Sequence, residues 1–226
     1  MAGRSLAAPG AGATILAQAQ HQLDLGRATL DTNTLAGAKS GFDACLNANP
    51  RDAVCLYGRA LTEHYLNQAE GWAHQKSAAD KSLDAAIADA EQAVAADDRL
   101  ADAHALLADL YGQKITGMFS GMHYGPKANA ESARALQLDR NNAQAYAVLG
   151  RKYLYSPAMF GGDIDKAIAS FNKATELDPE SYEDFAWLAI ACRKKGDTAA
   201  AQRALAQALH LNPRSAFAQR VQAGAE

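Results

Sequence analysis

The chain has 226 residues, and 22 Lys and Arg against 25 Asp and Glu leave a formal charge of −3. That balance excludes an electrostatic footprint for nucleic acid or anionic lipid, and no apolar run approaches the ~18 residues of a membrane span. Fifty-three alanines against six prolines favour long helices and exclude all-β and disulfide-scaffold classes.

Residues 1–14 are rich in Gly, Ala and Pro, without an amphipathic pattern or an apolar h-region, and are expected to be flexible. Localisation stays open: cytoplasmic if Met1 is the native start, periplasmic if a signal peptide was trimmed. From residue 19 a pattern recurs. The first copy (19–50) has Leu25-Gly26 on one helix, then Ala38, Phe42, Cys45 and Pro50 on the next. The second (51–98) has Tyr57-Gly58, then Ala86, Ala90, Ala93 and Asp98. The third (101–140) has His104, Leu107, Ala108 and Tyr111, then Ala128, Ser132, Ala135 and Arg140. The fourth (143–179) has Tyr146, Leu149, Gly150 and Tyr153, then Ala167, Phe171, Ala174 and Pro179. The fifth (182–213) has Phe185, Leu188, Ala189 and Cys192, then Ala201, Leu205, Ala208 and Pro213. Residues 214–226 read as a capping helix, with Phe217 and Val221 covering the last pair.

In each second helix the large residue and two alanines fall at i, i+4 and i+7 on one face. Small residues let paired helices approach, bulky ones fill the groove, and proline just past the helix ends it. This pattern resembles the tetratricopeptide repeat over roughly residues 19–215. The resemblance implies an all-α, right-handed superhelical solenoid of about five antiparallel helix pairs, one domain over 15–226, with a concave face lined by first helices.

Three copies carry insertions inside the pair. Nine residues separate Cys192 from Ala201, but 14 separate Tyr153 from Ala167, 17 separate Tyr111 from Ala128, and 25 separate Leu61 from Ala86. The segment 62–81 is helical in character and should lengthen both helices of pair two, with Tyr65 and Trp72 against the longer stem. Residues 112–126 and 156–163 read as loops, each with a Met-Phe pair: Met118-Phe119 and Met159-Phe160. These either pack on one another and on neighbouring helix ends, or meet a partner. With Met122, His123 and Tyr124 they form a candidate partner-binding edge. Asp163 should cap the helix that follows Gly161-Gly162.

In the repeat family the groove positions of the first helix are places two, five, nine, twelve and thirteen. Place nine reads Arg27, Arg59, Asp109, Arg151 and Ile190; place five reads Leu23, Cys55, Ala105, Ala147 and Ala186. The Lys and Asn clamp of the chaperone-binding branch is missing. A small-residue groove with Arg27, Arg59, Asp109, Arg151 and Tyr155 remains, suited to a segment with acidic groups, or else to a salt-bridged wall.

No catalytic constellation appears. Glu63 and His64 are adjacent on a helix and point apart. Met118, Met122, His123 and Met159 offer soft donors for Cu(I), but no second histidine is near, so no metal or cofactor is expected. Cys45, Cys55 and Cys192 read as small buried thiols, with a Cys45–Cys55 bridge across one turn as the alternative. The expected function is a non-catalytic scaffold or adaptor that binds a peptide or protein segment in the groove or on the inserted edge. The alternatives are a periplasmic ligand-binding accessory protein, similar to the repeat proteins that accompany TRAP-type transporters, and a self-assembling scaffold in which the chain is a homo-oligomer.

Overall fold

The computed structural model describes residues 11–225 as backbone and 14–225 with side chains. Among the described residues there are eleven α-helices and one 3-10 turn, and no strand. The helices are α1 (Ala11–Thr29), α2 (Thr32–Ala48), α3 (Ala53–Trp72), α4 (Lys76–Ala96), α5 (Ala101–Gln113) and α6 (Met118–Leu138). They continue as α7 (Ala143–Tyr155), α8 (Ile164–Leu177), α9 (Tyr182–Lys195), α10 (Thr198–Leu211) and α11 (Ala216–Ala223). The 3-10 turn, Ala158–Phe160, lies between α7 and α8. The all-α class and the five helix pairs follow the repeat frame. Helix α1 starts at Ala11, inside the segment expected to be irregular; the rest of that expectation falls on residues outside those described.

Two compact units can be told apart along the chain, residues 1–92 and 93–226. The physical reason is that stacked repeats contact mainly their neighbours, so the contact network is thin along the stack. In the first unit α1 packs on α2, α2 on α3, and the first helices α1 and α3 touch. Phe42, Leu35 and Cys55 are fully buried there. In the second unit α5–α6, α7–α8 and α9–α10 form pairs, while α5 touches α7 and α7 touches α9, so the first helices make one continuous layer. Phe171, Leu106, Leu107, Leu110 and Val221 are its fully buried large side chains.

The glycines of the pattern sit where helices cross most closely. A Cβ at Gly58 would lie 2.2 Å from the Phe42 ring, and one at Gly150 would lie 2.6 Å from the Phe171 ring. The capping helix α11 buries Phe217 and Val221, as expected.

Each turn from one pair to the next is built the same way. Asn49, Asp97, Asp139, Asp178 and Asn212 each accept, on a side-chain oxygen, the backbone N–H two residues on, at 2.9–3.4 Å. Each also accepts, on its carbonyl, the N–H three residues on. A side-chain acceptor at that place substitutes for a backbone turn. The same turn therefore forms at Asp98 and Arg140, where the repeat lacks proline.

The insertion in pair two is helical, as expected: Asn67 Nδ2 donates to the Ala79 carbonyl at 2.8 Å, and Ser82 Oγ to Glu70 Oε2 at 2.8 Å. Tyr65 is buried and Trp72 half-buried. The insertion in pair three corrects the expectation of a loop over 112–126, because α6 begins at Met118. The Ser120 hydroxyl accepts the N–H groups of Thr116 and Gly117, both at 3.0 Å, and so satisfies two donors ahead of the first turn. Pro126 lies inside α6. In pair four, Asp163 caps α8 through the N–H groups of Asp165 and Lys166 at 3.0 and 3.1 Å, and Gly161 has φ 89°.

The cysteines also depart from the expectation of three thiols. Cys45 and Cys55 form a disulfide from the last turn of α2 to the first turn of α3, with Cα atoms 6.3 Å apart; Cys192 is free and buried. The short turn at Asn49–Asp52 brings the two Cα atoms within bridging reach.

Candidate functional site

The charged place-nine side chains of the first helices make ion pairs in each unit. In the first unit Arg59 takes Asp89 in a two-pronged contact, Nε to Oδ2 at 2.6 Å and Nη2 to Oδ1 at 2.7 Å, and reaches Asp43 through Nη1 at 2.7 Å. The Asp89 bonds hold the guanidinium charged well above its ordinary pKa, against the opposing effect of burial. Arg27 lies 3.7 Å from Asp24 at a half-exposed position. Glu63, buried, meets Lys39 Nζ at 2.5 Å, and the bond raises the Lys39 pKa.

In the second unit Arg151 Nε donates to Asp109 Oδ1 at 2.7 Å, and its guanidinium lies 5.5 Å over the Trp187 ring. Burial works to lower its pKa, but the charge and hydrogen bond of Asp109 outweigh it, and the pKa rises. Asp184 is buried on α9, and burial pushes its carboxyl up to about 7 against the attraction of Arg151 and a Ser181 hydrogen bond. Trp187 stands among Phe171, Phe217 and Tyr155, with ring centroids at 6.3, 4.7 and 6.1 Å. Tyr155 is exposed; Lys194 lies 5.6 Å over its ring and donates to the Leu154 carbonyl at 3.0 Å.

Two observations bear on the groove. The place-five residues Leu23, Cys55, Ala105, Ala147 and Ala186 are buried, so they serve helix packing rather than an open groove. Arg59 and Arg151 hold carboxylates of their own chain, the arrangement of a salt-bridged wall. His104 occupies the aromatic place of its repeat and is buried, its Nδ1 2.5 Å from Glu131 and its Nε2 3.0 Å from the Asp98 carbonyl.

The inserted edge behaves differently. Met118, Phe119, Met122, Met159 and Phe160 are between 61% and 88% exposed. Seven of the nine exposed large hydrophobics among the described residues lie in 115–122 or 155–160, the other two being Leu25 and Val54. The reading in which the Met-Phe pairs pack away is thereby corrected: Met118 and Phe119 open α6, Met159 and Phe160 lie on the 3-10 turn, and all four are exposed. His123 is exposed, edge-on to Tyr124 at 4.6 Å, while Tyr124 is half-buried 5.8 Å from Tyr111. Sequence reasoning passed over Ile115, Trp187 and Asp184. Ile115 shows a signal, an apolar residue between Gly112 and Gly117; Asp184 shows none, because the Arg151 charge that acts on it comes from α7.

Among the described residues, one group has three side chains close enough to share a metal ion: Cys45, Asp52 and Cys55. Its sulfurs are bonded to each other, and Asp52 caps α3 through the N–H groups of Val54 and Cys55. No described helix is long and apolar enough to cross a membrane.

The sequence model described as tetratricopeptide repeat matches residues 158–181. No curated protein matches the chain. Among solved structures, the thermophilic tetratricopeptide-repeat protein TTC0263 of Thermus thermophilus superposes with a TM-score of 0.65. Its sequence identity is 22%, covering 92% of this chain and 98% of that one. MamA (20% identity, 86% and 96% coverage, TM-score 0.44) and the repeat protein YrrB (19%, 96% and 100%, TM-score 0.44) also match. The chain has the tetratricopeptide-repeat fold, with one repeat identified at residues 158–181.

Proposed function

We propose that the chain is a non-catalytic interaction module whose inserted edge, Met118, Phe119, Met122, Met159 and Phe160, docks a segment of a partner protein. The observation that carries this reading is the exposure of those five side chains. Exposed apolar side chains at the insertions of a repeat array often mark its binding face. Methionine adapts its shape to varied apolar surfaces. Arg59 is held by Asp43 and Asp89 in the first unit and Arg151 by Asp109 in the second, and Tyr155, next to the second insertion, joins the docking surface.

The test is site-specific photocrosslinking in the source cells from positions 119 and 160. A common protein adduct at both, lost when Met118, Met122 and Met159 are changed to Ser, supports the reading. No adduct at either position, or an unchanged adduct in the Ser variant, overturns it. An adduct that is a second copy of the chain moves the function to self-assembly.

A further inference from the structure

The insertion between α5 and α6 has a charge character of its own. The chain carries −3 overall, yet residues 112–130 contain Lys114, His123 and Lys127 and no Asp or Glu. Lys127 Nζ sits 5.3 Å from the Tyr111 ring and 5.8 Å from the Tyr124 ring. A lysine held by its stem and by ring faces keeps its ammonium at the rim of an apolar patch, where donors remain for an incoming carboxylate.

The second insertion repeats the arrangement. Lys152 and Lys166 lie 5.7 and 5.8 Å from the Tyr153 ring, with Lys166 also 3.3 Å from Asp163. Gly117 and Gly125 face open space, so a backbone can approach the first insertion closely.

Building on the docking reading above, we propose that the α5–α6 insertion takes an acidic amphipathic segment of a partner protein. The segment's apolar residues seat on Ile115, Met118, Phe119 and Met122, and its Asp or Glu side chains meet Lys114 and Lys127. Charge complementarity sets the class of partner: a basic segment would face like charges at the rim, while an acidic one gains steering and register from them. The apolar centre supplies the affinity and the lysines the discrimination.

The test is calorimetric titration of the full chain with three probes. These are a synthetic amphipathic helix of Leu and Glu, the matching helix of Leu and Lys, and vesicles of phosphatidylglycerol and phosphatidylcholine. The Leu/Glu helix should bind, less tightly as salt rises, and the Leu/Lys helix should bind at least about tenfold more weakly. Lys114→Glu with Lys127→Glu should weaken Leu/Glu binding by about tenfold or more, and Met118→Ser with Phe119→Ser and Met122→Ser should abolish it. Circular dichroism and melting confirm that both variants fold.

If the apolar variant abolishes binding and the charge variant leaves it unchanged, the docking edge stands and the acidic class is overturned. If neither variant changes binding, the edge itself is overturned. No binding of the Leu/Glu helix, or binding of the vesicles in its place, also overturns the acidic protein segment, the second outcome in favour of a membrane surface.

Discussion

Gly162 accepts no side chain: a Cβ there would lie 1.8 Å from the Ser156 carbonyl oxygen and 2.7 Å from its carbon. The obstacle is backbone, so it cannot swing aside. Gly162→Ala is expected to destabilise the chain by about 1–3 kcal/mol and to shift the Met159-Phe160 turn, as read from urea denaturation. Asp184 gives the other residue-scale expectation. Its folded pKa, about 7, lies above the ordinary carboxyl value of 3.8, so the folded state holds the proton more tightly than the unfolded one. Stability from this group is therefore present below about pH 4 and is lost as pH rises toward 7. Denaturation midpoints should fall across that window, with a slope of up to about 1.4 kcal/mol per pH unit from this group. Asp184→Asn should flatten that part of the profile.

At the scale of elements, the turns between pairs rest on one repeated acceptor. Asp139→Ala removes the bond to the Asn141 N–H at 2.9 Å and should cost about 1 kcal/mol, measurable against the wild-type urea midpoint. The repeat frame in the sequence located the helix pairs, the Asp163 cap and α11, because alanine, glycine and bulky residues at helical spacing reflect packing directly. It missed the start of α6, since Gly117, Gly121, Gly125 and Pro126 all argue locally for a loop. What overrode them is the Ser120 hydroxyl at the helix start and the packing of Tyr124 on Tyr111. The Arg59 contacts were equally hidden, because Asp43 and Asp89 come from helices on either side of α3.

At the scale of the whole molecule, the two units each have their own core, and the disulfide belongs to the first. Closing the short loop between Cys45 and Cys55 contributes about 2–3 kcal/mol by restricting the unfolded chain. Under reducing conditions, hydrogen exchange should rise in α1, α2 and α3, and Cys45→Ser with Cys55→Ser should reproduce this without reductant. Unchanged exchange would mean that packing alone holds that joint. The exposed edge was legible in the sequence as two Met-Phe pairs beside glycine; its exposure was not, since the same composition also suits a core.

The chain has two tryptophans, Trp72 on α3 and Trp187 on α9, and they fall in different units. Each unit thus carries its own intrinsic fluorophore. Trp187→Phe leaves emission that reports the first unit alone, and Trp72→Phe leaves emission that reports the second, where the indole sits beside the Arg151 guanidinium. The order in which the two halves lose structure, and which of them senses a ligand, can be read from the colour and intensity of light emitted without any added label.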